Sequence, residues 1–208
     1  MLTQKLLAIT NLGAGWVLWL LVALSVVSVG VMLERAIFFA ARRLAGPDAI
    51  ATRLLAGDFG GARGAVERKQ GMEADVVRAA VDHARMGPES VAEVIDAQLA
   101  RSRLDYERRL AFLGTLGNNA PFIGLFGTVL GVIRAFADLA AHPGAGGAGT
   151  VMVGISEALV ATAVGLFVAL PAVVMFNLYQ RWLRRSAQRA SVLGHAVIAC
   201  LKAKPEDR

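Results

Sequence analysis

Thr128, Thr162 and Glu157 are polar side chains set within apolar stretches. A hydroxyl can donate to or accept from water without the cost of a fixed charge, and a carboxylate can exchange a proton. Two hydroxyls and one carboxylate therefore suggest a polar path through an apolar body. Close helix packing is the other use of such residues. Glu157 follows Val151–Ser156 and precedes more than twenty uncharged residues. A charge at the centre of a membrane span costs roughly 2.5–3.5 kcal/mol on insertion scales. Glu157 is thus expected to face a helix bundle or a water-filled interior. The alternative is an interfacial glutamate at a helix start, where the macrodipole favours it. Arg134 and Asp138, four apart, read as an interfacial ion pair.

These residues lie in two apolar runs, Leu110–Ile133 and Val151–Gln180. Each is long enough to cross a bilayer, for which about 20 residues are needed. Small residues line one side of each run. Gly117, Pro121, Gly124, Thr128, Gly131 and Ala135 recur at alternating spacings of four and three, which forms one helical stripe. Gly154, Ala158, Ala161, Gly165, Ala169 and Ala172 keep to one broad face of the second run, with Thr162 at its border and Pro171 inside the run. Small stripes permit close backbone approach and are expected to support a homo-oligomer.

The chain has 208 residues, 56% of them hydrophobic, and a mean hydropathy of +0.54, which is high for a soluble domain. A third apolar run, Leu6–Leu33, contains no charge and carries Trp16 and Trp19 near its start. It is too long for a signal peptide, and Glu34, Arg35 and Ala36 follow it rather than a cleavage site. The expected fold is an all-α membrane protein: three transmembrane helices, with a cytoplasmic helical domain between the first and second. The expected segments are 1–14 outside, 15–35 first span, 36–109 cytoplasmic domain, 110–136 second span, 137–150 short outer loop, 151–180 third span and 181–208 cytoplasmic tail.

The net charge is +6. Thirteen Lys or Arg lie between Arg35 and Arg109 and seven between Arg181 and Arg208, whereas Leu139–Ser156 carries no charge. The positive-inside rule places the N-terminus and the outer loop in the periplasm and the C-terminus in the cytoplasm. Because the charge follows membrane topology, nucleic acid is not an expected partner. Cys200 is the single cysteine, so no intramolecular disulfide forms. His83, His142 and His195 lie in separate segments, and no metal site is expected. The Gly144–Gly149 run lacks the context of a phosphate loop and reads as a flexible outer turn, so no cofactor is expected. Within the middle segment, Gly46-Pro47-Asp48 and Gly57-Asp58 signal breaks and caps, with helices expected over about Asp58–Gln70 and Glu73–Met86. Pro88 suits a first helical position. No stop signal precedes Leu110, so the second span is expected to begin well inside the cytoplasm. The third is expected to continue toward Leu201.

The stretches NAPFIGLFGTVLGVIRAF (Asn119–Phe136) and GISEALVATAVGLFVALPAVVMFN (Gly154–Asn177) resemble the MotA/TolQ/ExbB proton-channel family, in its ExbB/TolQ branch. The resemblance covers nearly the whole chain, with the middle segment matching only in pattern. It implies a bacterial inner-membrane stator, not an enzyme, that couples proton motive force to periplasmic or outer-membrane work. It further implies a homopentamer whose second and third spans face a pore. That pore holds a dimer of an ExbD/TolR-like single-span partner, with a TonB- or TolA-like protein further along. By the same resemblance Thr128, Thr162 and Glu157 match the family's pore residues, and Pro121 and Pro171 match its prolines. Leu130 stands where tryptophan is frequent, and Arg134 where a neutral or weakly basic residue is common. TonB-dependent uptake, Tol–Pal envelope maintenance and surface motility remain open as the powered system. A passive membrane scaffold is the competing class. An intramembrane enzyme would need a catalytic constellation that the spans lack.

Overall fold

The computed structural model describes residues 15–141 and 147–203. Among them every regular element is helical: α1 (Gly15–Ala41), α2 (Pro47–Leu55), α3 (Phe59–Val66), α4 (Met72–Asp82), a 3₁₀ turn at Ala84–Met86, α5 (Pro88–Glu107), α6 (Leu110–Ala141) and α7 (Gly147–Ala203). Of these, α1, α6 and α7 are long and apolar enough to cross a membrane. The chain is therefore an all-α, multi-pass membrane protein. The expected outer N-terminus, residues 1–14, lies outside the described residues.

One compact unit comprises the chain up to Leu33 together with Ala111–Phe176. Val17 and Leu21 of α1 are buried with Leu116, Ala120 and Leu130 of α6 and Val168 and Ala169 of α7. Trp16 meets Phe126 edge-on at 6.3 Å between ring centroids. Gly127 marks where the three helices converge: a Cβ there would lie 2.8 Å from the Ala161 Cβ and 3.1 Å from the Val17 Cγ1. Most of the remaining surface is apolar, including Phe122, Val129, Phe136, Phe167 and Leu170, as suits a body whose surroundings are lipid or other membrane helices.

The second unit comprises Glu34–Leu110 and the chain from Asn177 on. Its hub is aromatic. Phe39 stacks on Tyr179 at 5.4 Å with the rings nearly parallel, and meets Tyr106 and Trp182 edge-on. Tyr179, Leu183, Ala187, Ala190, Leu193, Val197 and Cys200 recur at three- and four-residue spacing and are buried, so α7 presents one continuous apolar stripe to this unit. The short helices begin where the sequence punctuates the chain. Pro47 and Pro88 open α2 and α5, and the Asp58 carboxylate accepts from the Gly61 N–H at 2.8 Å to cap α3. Gly71, at φ +132°, precedes α4; a Cβ there would sit 2.4 Å from the Arg42 carbonyl oxygen, so only glycine fits. α3 and α4 are shorter than the sequence suggests, ending at Val66 and Asp82.

Three boundaries differ from the sequence-based expectation. α5 and α6 are separate helices, broken at Arg108 and Arg109, with Arg109 at φ +66°. An ion pair holds this break: Arg109 Nη1 lies 3.3 Å from the Glu34 Oε1, and Arg35 shares the same carboxylate at 2.7 Å. α6 continues to Ala141, past the expected end of the second span at residue 136. Arg134 and Asp138 pair along it at 3.9 Å, and alanines at 135, 137, 140 and 141 favour helix. Gly147–Gly149, expected in a flexible turn, already belong to α7; Gly144–Gly146 lie outside the described residues. α7 then runs 57 residues without interruption to Ala203, in line with the expectation that the third apolar helix continues toward Leu201.

Candidate functional site

The two small-residue stripes meet each other within the chain. A Cβ on Gly124 would lie 2.7 Å from the Ala161 carbonyl oxygen and 3.0 Å from the Thr162 Cα. A Cβ on Gly165 would lie 2.7 Å from the Ala120 carbonyl oxygen. Further along the same seam, a Cβ on Gly117 would meet Val173 at 2.5 Å, and one on Gly154 would meet the Ala135 Cβ at 2.9 Å. Gly131 and Ala158 are buried as well. The stripes are thus occupied in joining α6 to α7. These close approaches lie within one chain, between its own two helices. Pro121 and Pro171 sit inside α6 and α7, where neither can donate to the carbonyl one turn earlier, at Gly117 and Phe167.

Thr162 lies on this seam and Thr128 one turn beyond Gly124. Their hydroxyls differ. Thr128 Oγ1 donates to the Leu125 carbonyl of its own helix at 2.7 Å. Thr162 Oγ1 is buried and has no hydrogen-bond partner. Such an orphan is uncommon, because an unsatisfied buried hydroxyl costs roughly 1–3 kcal/mol. Glu157 is not with them. Five residues at about 100° each place it roughly 140° around α7 from Thr162, and it is exposed on the outward face. Within one chain the structure brings Thr162 to the α6 seam and leaves Glu157 facing away from it.

Sequence reading missed several polar groups. Ser28 of α1 is 2% exposed, and its hydroxyl has no partner. Thr115, Asn118 and Asn119 are exposed on α6, and the Asn119 side-chain amide donates to the Thr115 carbonyl at 2.7 Å. Asn177 is exposed on α7. Their signal was available: polar residues recur at three- and four-residue spacing beside the glycine stripe. In the second unit, Glu73 is 1% exposed and its Oε2 has no partner. Burial pushes its carboxyl above the usual carboxylate range, while its own backbone N–H, Ser186 and Arg189 act in the opposite direction.

The comparisons with known proteins agree with this arrangement. The pattern of the MotA/TolQ/ExbB proton channel family matches residues 68–191, which include all of α6 and the apolar part of α7 but leave α1 outside. The Tol-Pal system protein TolQ of Pseudomonas aeruginosa is 46% identical over 89 residues, 43% of this chain and 38% of that protein. A putative biopolymer transport protein, ExbB-like 2, of Helicobacter pylori is 40% identical over 89 residues, 42% of this chain and 59% of that protein. The biopolymer transport protein ExbB of Pseudomonas putida is 42% identical over 93 residues, 45% of this chain and 28% of that protein. Each match spans less than two thirds of the relative's own length. With three membrane-length helices and a family pattern covering more than half of its sequence, the chain belongs to the MotA/TolQ/ExbB proton channel family, in its ExbB/TolQ branch.

Proposed function

We propose that the chain is the channel-forming stator subunit of an inner-membrane motor, coupling proton motive force to periplasmic or outer-membrane work. The orphan hydroxyl of Thr162 carries this reading. A buried donor held in a close-packed seam gains from a partner that this chain does not supply: a water, or a carboxyl on another protein. In the proposed assembly several copies, five by family resemblance, surround a dimer of an ExbD/TolR-like single-span partner. The pore is lined by α6 and α7, with Thr128 and Thr162 contributing hydroxyls. Glu157, outward on the single chain, meets a neighbouring subunit or the pore. The second unit and the C-terminus lie in the cytoplasm, and the N-terminus lies in the periplasm. The ExbB-like role in TonB-dependent uptake is preferred. A TolQ-like role in envelope integrity uses the same geometry with a different partner, and a motility stator is a further variant.

Proton flux tests the proposal. The chain is reconstituted with its single-span partner in vesicles carrying an interior pH dye and an imposed potential. Thr162→Val and Thr128→Val remove one hydroxyl each and nearly keep the shape. Flux should fall by about tenfold or more for Thr162→Val, since one hydrogen bond to a charged group is worth roughly 1.5–3 kcal/mol, while assembly is retained. Normal flux in both valine variants and in Glu157→Ala would mean that these residues only pack and that the partner makes the path, whereas no flux from the unaltered chain with its partner would favour the passive scaffold.

A further inference from the structure

The second unit holds a recess of about 300 Å³ with an apolar wall and a cationic rim. Phe39, Tyr106 and Trp182 form the wall, and their ring contacts fix it in place. Arg42, Arg43, Arg185 and Arg189 form the rim. A wider hollow of about 900 Å³ adjoins it and shares Arg43, Arg185 and Arg189. The Arg42 guanidinium lies 4.1 Å from the centre of the Phe38 ring and 5.9 Å from that of Tyr106, which holds it in place. The five ion pairs among the described residues involve none of the four rim arginines. Acids close by are Asp48, on the edge of the wider hollow, buried Glu73, whose carboxyl faces Ser186 and Arg189, and Asp75, which acts on Tyr106 but pairs with Arg78.

Four guanidinium groups, with only the Glu73 carboxyl facing one of them, repel one another unless an anion joins them. Their place in the sequence narrows the choice. Arg42 and Arg43 directly follow α1, and Arg185 and Arg189 come shortly after the last apolar stretch of α7, ending at Leu178. Arg42 and Arg43 thus lie just past the end of one apolar helix, and Arg185 and Arg189 lie in the continuation of another. Ile37, 70% exposed, lies one turn before Ala40, which itself lines the recess, so an apolar path leads to it along α1.

We propose that this recess binds the phosphate-bearing headgroup of an anionic phospholipid. The arginines hold the phosphate, for which the guanidinium fork is well shaped. Trp182, Phe39 and Ile37 pack against the glycerol and the first acyl carbons. Inorganic phosphate would leave the apolar wall unused, whereas a lipid uses both. Basic pockets at the ends of membrane helices favour such headgroups, at about 1 kcal/mol for each cation near the surface. The proposal rests on the helices spanning a membrane and not on proton conduction, so either can fail alone.

The test uses the full chain purified in mild detergent. It is titrated with phosphatidylglycerol, with phosphatidylcholine of the same acyl chains, or with inorganic phosphate, and read by native mass spectrometry and thermal unfolding. Phosphatidylglycerol should be retained about tenfold better than phosphatidylcholine and should raise the unfolding temperature. Arg43→Gln with Arg185→Gln should lower that retention about 25-fold, at about fivefold for each arginine. Lysine at both positions should restore most of it, and the lysine pair also decides the matter if the glutamine pair misfolds. Arg68→Gln, which does not line the recess, should change retention less than twofold. Equal retention of the two lipids, or an equal loss in Arg68→Gln, overturns the proposal. Protection by millimolar phosphate alone, or displacement of the lipid by an acidic peptide, overturns the lipid assignment.

Discussion

The hydroxyl of Thr128 is satisfied within its own helix, whereas that of Thr162 has nothing to bond, so valine has different consequences at the two positions. At Thr162 it removes an unsatisfied buried group and keeps the volume, which should stabilise the isolated chain by about 1 kcal/mol. The same change should lower proton flux. More stability with less activity, read by thermal unfolding beside the vesicle assay, would mark a residue retained for work and not for packing. Unchanged or lower stability in Thr162→Val would mean that its hydroxyl is satisfied in the assembled state. Glu73 makes a second test at this scale. Its pKa is raised, so the folded state binds the proton more tightly than the unfolded chain. The stability it contributes is present on the acid side and is lost as pH rises from the ordinary carboxylate value of 4.5 through its raised one. Glu73→Gln should therefore flatten the decline in unfolding temperature as pH rises above 4.5. A decline as steep as in the unaltered chain would refute the assignment.

Among the elements, the α6–α7 seam tolerates the least change. Gly165→Leu drives a side chain into the Ala120 carbonyl, where not even a Cβ fits. Overpacking costs typically 1–3 kcal/mol and more where backbone must move, and the atoms nearest Gly165 are all backbone. We expect a loss at the upper end of that range, with a failure of the helix pair that precedes any failure between copies. Retention of the unaltered unfolding temperature would show that the seam is looser than described. Much of this element was legible in the sequence, because the glycines and alanines repeat at helical spacing. Periodicity fixes the angle between residues on one helix. It does not say which neighbour covers a face, so a seam inside the chain could not be told from one between copies. The break at Arg108 and Arg109 was illegible for another reason. Neither glycine nor proline marks it, and it is held by Glu34, far away in sequence. The roles of Thr128 and Thr162 were legible as residue types, but the opposite states of their hydroxyls arise from three-dimensional packing alone.

For the whole molecule, orientation in the membrane is the first thing to establish. Cys200 is buried, so its failure to react with impermeant thiol reagents would reflect packing as much as sidedness. A cleaner test replaces Cys200 with alanine and places single cysteines at Ala141 and Lys202, both exposed at their ends of α6 and α7. In intact spheroplasts the residue at 141 should label and the one at 202 should not. The reverse pattern would invert the charge-based topology.

At a rise of 1.5 Å per residue, the 57 residues of α7 span about 85 Å, nearly three times the hydrocarbon thickness. In mechanical terms it is a lever cut from one piece. A tilt of about 5° at one end would displace the other by about 7 Å, from the length of such a rod. The weakest link of that lever is the missing hydrogen bond at Pro171.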